Sequence, residues 1–173
     1  MKKVIIIGSG GAGKSTLARK LGDVLGINVY HLDALYWKPG WEKTDNDEWK
    51  NTIAEIMDED EWIMDGNFGG TMAMRASAAD SIIFLDYSTV RCLYGIFKRR
   101  IMYHGKSRPD MNEGCPEKLD WEFINWVAQY KHKKAPAIIE SLKQYKEQGK
   151  IIFHFTAPAE TEAFISALAK KGK

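Results

Sequence analysis

The sequence predicts a three-layer α/β fold around a five-stranded, mainly parallel sheet, and three observations predict it. Residues 4–7, 28–33, 62–65, 81–86 and 151–155 form short strand-like runs, most of them continuously apolar, as in strands buried on both faces. Segments with apolar residues at helical spacing separate these runs. A glycine-rich turn at residues 8–15, Gly-Ser-Gly-Gly-Ala-Gly-Lys-Ser, joins the first strand to the first helix.

Val4, Ile5, Ile6 and Ile7 are four β-branched residues in a row, which suits the central strand. The first helix follows from Lys14, with Leu17, Ala18, Leu21 and Leu25 inward and Gly26 as its stop. Residues 28–33 read as the second strand. Residues 34–43, with two Trp, a Tyr and a Pro-Gly pair, read as an irregular loop on the substrate side. Thr44 and Asp47 suggest a capping box before a helix carrying Trp49, Ile53, Ile56 and Met57. Residues 66–79 read as a glycine turn and a short helix. The helix at 89–103 should bury Leu93, Phe97 and Ile101.

Residues 104–118 hold two Pro, two Gly and no periodic apolar pattern, so they form a long loop of the kind that usually carries function. Helices at 119–130 and 136–148, the last strand, and a helix at 159–170 complete the alternation.

The 173 residues suit one domain over 1–173, and 45% apolar content with mixed charge describes a globular chain. Cys92 and Cys115 form no CxxC pair, and no charged leader opens the chain, which places the protein in the reducing cytoplasm. No apolar run approaches the roughly 20 residues that a membrane span needs. A net charge of +2 does not by itself argue for nucleic acid.

The turn at 8–15 matches G-x-x-x-x-G-K-[ST] in the strand-to-helix context that makes it a phosphate cradle, so the fold is that of a P-loop NTPase. Main-chain N–H groups of Gly8, Ser9, Gly10, Gly11, Ala12 and Gly13, and the helix N-terminus through Ser15 and Thr16, converge on an anion. Lys14 then spans the β- and γ-phosphates of ATP, and Ser15 offers its hydroxyl to Mg²⁺.

Ligands of open α/β sheets bind beyond the carboxyl ends of the strands, where Asp33, Asp65 and Asp86 stand. Asp33 either orients and deprotonates an acceptor hydroxyl or forms a turn. Asp65 suits a Walker-B role toward Mg²⁺ and ranks above Asp86, whose next residues read as a helix entry. Arg75, Arg99, Arg100, Lys106 and Arg108 suggest an arginine-bearing lid over 104–118 that brings positive charge over a migrating phosphoryl group. Trp37 and Trp41 either stack on an aromatic or sugar acceptor or cover a core edge. His31, His104, His132 and His154 are scattered and form no zinc set.

Four segments resemble the bacterial DNA topology modulation proteins, P-loop proteins related in fold to adenylate, shikimate and gluconate kinases. They are the phosphate turn, Tyr-His-Leu-Asp-Ala-Leu-Tyr-Trp-Lys-Pro-Gly-Trp at 30–41, Asp-Gly-Asn-Phe-Gly-Gly at 65–70, and His-Gly-Lys-Ser-Arg-Pro-Asp-Met at 104–111. The resemblance runs nearly end to end. It implies an adenylate-kinase-like fold, with Asp65-Gly66 and Arg99-Arg100 similar to that group's Asp-Gly and lid-entry pair. Asn67-Phe68-Gly69 departs from the adenylate kinases' Phe-Pro-Arg, so AMP recognition does not carry over, and Lys131, Lys133 and Lys134 stand where those enzymes carry an arginine-bearing helix.

The expectation is therefore an ATP- and Mg²⁺-dependent kinase for a small nucleoside, nucleotide or similar acceptor. Its site would comprise Lys14, Asp33, Arg99, Arg100 and Arg108 around the acceptor contacts Asp33, Trp37, Asp65 and Arg75. The alternative is a nucleotide-dependent regulator that binds DNA through the basic clusters 98–100 and 131–134.

Overall fold

The computed structural model describes residues 1–171. In chain order β1 (Lys3–Gly8) leads through the phosphate turn into α1 (Lys14–Leu25), which stops at the left-handed Gly26. Next come β2 (Val29–His31), the short α2 (Leu32–Tyr36), and a small hairpin of β3 (Trp37–Lys38) and β4 (Glu42–Lys43) around a tight Pro39–Trp41 turn. They are followed by α3 (Asn46–Asp58), β5 (Trp62–Asp65), α4 (Gly69–Ala78), β6 (Ser81–Leu85) and α5 (Thr89–Met102). After the segment 103–120 the chain closes with α6 (Trp121–Lys133), α7 (Ala135–Glu147), β7 (Ile151–Phe155) and α8 (Pro158–Lys171).

The five long strands form one parallel sheet in the order β2-β5-β1-β6-β7, with β1 in the middle as its unbroken aliphatic run predicts. Alternate residues feed two cores. Ile5, Ile7, Met64, Ile82 and Phe84 face the layer that contains α3 and α7. Val4, Ile6, Ile63, Ile83 and Leu85 face the layer of α1 and α8. The register pairs Ile6 with Asp65 and Gly8 with Leu85, so the ends of β5 and β6 flank the start of the phosphate turn.

Four local expectations change. The second strand ends at His31, and Asp33 lies one residue inside α2, because Leu32 turns inward beneath Gly66 and is fully buried. Residues 34–43 are ordered rather than irregular, tied back by Thr44, whose N–H and hydroxyl both donate to the Tyr36 carbonyl at 3.0 and 2.7 Å. Thr44 is thus buried, and Asp45 caps α3 by accepting from the N–H groups of Asp47 and Glu48.

The fourth change concerns α5. It buries Cys92 and Ile96, while Phe97 is 46% and Ile101 79% exposed. The cause is a glycine contact. Any Cβ on Gly95 would strike the Gly11 backbone, and any Cβ on Gly11 would strike the Cys92 carbonyl, so the phosphate turn rests on bare α5 backbone. That contact, rather than the apolar stripe, sets which way α5 faces.

Arg75 points inward and is fully buried. Its guanidinium donates to the carbonyls of Gly66 (3.2 Å), Asn67 (2.9 Å) and Phe68 (3.1 Å) and to the Thr71 hydroxyl (3.2 Å). Burial lowers its pKa to about 10, still charged at neutral pH. It therefore fixes the turn after β5, including Phe68 at φ 22°, instead of reaching a substrate.

Two outcomes follow from these contacts. Gly95→Ala normally gains about 0.5–1 kcal/mol of helix stability; here it should lower the urea midpoint and weaken ATP-analogue binding together, and a stabilised variant of unchanged affinity would refute the contact. Arg75→Met should cost about 2–4 kcal/mol in urea unfolding through stranded buried carbonyls, with little rescue by Arg75→Lys.

Candidate active site

The glycine-rich turn at 8–13 has few side chains with which to hold its own shape, so its neighbours help to hold it. Asn67, at the end of the turn fixed by Arg75, accepts from the Gly8 N–H at 3.1 Å and donates to the Gly8 carbonyl at 2.9 Å. Phe123 and Val127 of α6 press on Gly10, where a Cβ would meet Phe123 Cζ at 2.7 Å. Lys14 folds back over the turn and donates to the carbonyls of Gly8 and Ser9, both at 3.1 Å. Burial lowers the Lys14 pKa, with Asp33 and Asp65 opposing that shift. An incoming phosphate gives this ammonium stronger partners than two carbonyls.

Three carboxylates gather beside it. Asp33 is exposed to the central cavity, and partial loss of hydration there raises its pKa although Lys14 and Arg108 pull it down. Asp65 is buried and accepts from His31 Nδ1 at 2.6 Å. Burial works against a charged His31 ring, but the Asp65 hydrogen bond and charge prevail and raise its pKa. Asp110, from the 104–118 segment, lies near Ser15 and pairs with Arg108 Nη1 at 3.3 Å; burial opposes its charge, and Arg108 holds its pKa below the usual range. Asp86 stands apart, held by Lys131 at 2.8 Å and His154 at 3.1 Å.

The arginines of the 104–118 region converge on one buried carboxylate. Glu117 takes Arg99 Nε at 2.7 Å on one oxygen and faces Arg108 Nε at 2.9 Å with the other. Its backbone carbonyl accepts from Arg100 Nη1 at 3.2 Å. Burial, and then the neighbouring Arg108, lower the Arg99 pKa. Arg108 is shared with Asp110, Nη1 to Oδ2 at 3.3 Å, so Glu117 and Asp110 together balance the two guanidiniums.

The same segment clasps α2 and the hairpin. Asn112 Nδ2 donates to the carbonyls of Ala34 (2.6 Å) and Trp37 (2.9 Å), Cys115 Sγ lies 3.2 Å from the Lys38 carbonyl, and the Gly40 N–H donates to the Gly114 carbonyl at 2.9 Å. Together they enclose a cavity of about 670 Å³ that is lined by Lys14, Asp33, Trp37, Arg99 and Arg108, among others. A second cavity of about 150 Å³ lies along α1, bounded by Gly13, Thr16, Tyr87, Arg91 and Pro158.

Of the residues that the sequence singles out, Lys14, Asp33, Trp37, Arg99 and Arg108 share the main cavity. Ser15 and Asp65 lie beside it. Arg75 faces the protein interior, and Arg100 faces the Glu117 backbone. Sequence reasoning missed Asn67, Asp110, Glu117, Phe123 and Arg91. Asn67 and Asp110 fall in the quoted segments 65–70 and 104–111, but Glu117 and Arg91 carry no motif.

Among the described residues no group of three His, Cys, Asp or Glu side chains forms a metal cage. A divalent cation at this turn takes most of its oxygens from phosphates and water, and the Ser15 hydroxyl with the nearby carboxylates fits that demand.

No protein-family model matches the chain, and no curated protein matches it. The solved structures include one match along nearly the full length, a shikimate kinase from Bacteroides thetaiotaomicron, at 19% identity and a TM-score of 0.54 over 97% of this chain and 96% of that one. The chain therefore has the α/β fold of the P-loop kinases.

Proposed function

We propose that this protein is a cytoplasmic P-loop phosphotransferase that moves the γ-phosphoryl group of ATP, with Mg²⁺, to the hydroxyl of a small acceptor. The carrying observation is the placement of Asp33 on the same cavity wall as Lys14 and two lid arginines. A switch or simple ATPase has no need of a carboxylate beside Lys14 on a cavity large enough for an acceptor. The resemblance to DNA topology modulation proteins gives a family setting for such an enzyme without naming its substrate.

The triphosphate would lie along the turn, with its base toward Arg91 and Pro158 and its γ-phosphate at Lys14. Mg²⁺, held by Ser15 and, through water, by Asp65 or Asp110, neutralises phosphate charge when bound. Asp33 takes the proton of the acceptor hydroxyl as that oxygen bonds to the γ-phosphorus and the bond to the β-γ bridging oxygen breaks. Arg99 and Arg108 stand over the transferring group, and residues 104–118 exclude water while closed. His31 holds Asp65 in place.

The DNA-binding alternative loses cations in the fold. Lys131 is paired with Asp86, and Arg99 and Arg100 are engaged by Glu117.

Lys14→Ala should weaken binding of a non-hydrolysable ATP analogue at least about tenfold, or roughly 1.4 kcal/mol, by calorimetry; unchanged affinity would end the kinase reading. Asp33→Asn should keep that affinity and lower kcat by about 10²–10⁴. A raised Asp33 pKa means that the base is lost to protonation at a higher pH than an ordinary aspartate would be. The acid limb of kcat/KM should therefore lie above the ordinary aspartate range and vanish in Asp33→Asn.

A further inference from the structure

The phosphate end of the main cavity is polar, but most of the remaining wall is not. Trp37 and Trp41 of the hairpin and Phe68 of the Arg75-held turn supply one side, and Phe123 and Trp126 of α6 supply another. Each group is fixed as a set. Trp37 meets Trp41 edge-on at 5.6 Å and Tyr36 at 5.1 Å, and Tyr36 in turn meets Phe68 at 5.0 Å. Phe123 and Trp126 stack at 5.8 Å with their planes only 13° apart. Two preassembled aromatic walls, carried by elements far apart in sequence, flank a space of ligand size.

Covering a core edge does not account for Trp41. It is held at φ 65°, a conformation that bulky residues avoid, and its indole N–H is buried without a partner in the protein. With its N–H enclosed by protein, Trp41 offers the cavity its ring rather than a donor. The Lys118 ammonium lies over the same ring, 5.5 Å from its centre.

Resting on the kinase reading above, we propose that the phosphate acceptor is an alcohol built on a planar aromatic ring of nucleobase or similar heteroaromatic size. The ring lies between the hairpin and α6 walls, and the hydroxyl reaches Asp33. In the transfer step Asp33 gains the hydroxyl proton, the oxygen gains the phosphoryl group, and ADP leaves. Alicyclic or open-chain polyols fill the same volume but forgo stacking on the aromatic walls.

Full-length protein saturated with a non-hydrolysable ATP analogue is titrated with adenosine, thymidine and pyridoxine, and separately with shikimate and gluconate. Binding is followed by calorimetry and tryptophan fluorescence. At least one ring-bearing alcohol should bind tenfold or more tightly than both ringless probes. Trp37→Leu and Trp41→Leu, checked for folding by thermal melts, should each weaken that binding at least tenfold and leave ATP-analogue affinity unchanged. The proposal is overturned if shikimate or gluconate binds as well, if no ring-bearing probe binds the ATP-loaded protein, or if neither folded tryptophan variant alters ring binding. Failure to bind the ATP analogue at all would instead overturn the kinase reading on which the proposal rests.

Discussion

Gly11 lies directly on the backbone of α5, with Gly95 beneath it and the Cys92 carbonyl alongside, and the rest of the site is arranged around that contact. A turn that offers its amides to an anion must leave them bare, and a bare glycine turn has too much conformational freedom to hold one shape. The shape is imposed from outside. α5 supports the turn from below, Asn67 binds both backbone groups of Gly8, and Phe123 closes on Gly10. Arg75 lies a step further back, buried among the carbonyls of the Asn67 turn, so a cation deep in the protein sets the geometry of an anion site that it never touches.

The electrostatics share this economy. Lys14, Arg99 and Arg108 are balanced in the structure by Asp33, Glu117 and Asp110, which leaves each charge partly satisfied and partly available. In a site shielded from water, such pairs are stronger than at the surface and must be matched with care. Asn112 ties the 104–118 segment to α2 through the carbonyls of Ala34 and Trp37, so two walls of the main cavity are joined directly.

Much of the fold was legible because it is local. Four β-branched residues in a row, a glycine turn and an amphipathic helix specify strand, cradle and helix through backbone sterics and periodicity, and β1 lies at the centre as that run implies. The cap of α3 was misplaced by one residue: a box of Thr44 and Asp47 was expected, and Asp45 takes the role because Thr44 is drawn inward to Tyr36. The orientation of α5 was not legible. Leu93, Phe97 and Ile101 make a proper helical stripe, and only the approach of Gly11, more than eighty residues earlier, decides for Cys92 and Ile96 instead.

The sequence by itself determined that a glycine-rich turn follows a central strand and that Lys14 and Ser15 open the helix, since those features depend on neighbours in the chain. Tertiary structure decided the rest. Arg75 and Arg108 look alike in sequence, yet one is buried among carbonyls and the other lines the cavity. Trp37, Phe68 and Phe123 carry no motif in common and come to line one cavity only through the sheet order and the lid clasp. Side-chain direction and the pairing of distant segments depend on what the folded chain brings alongside each residue, which a one-dimensional pattern does not encode.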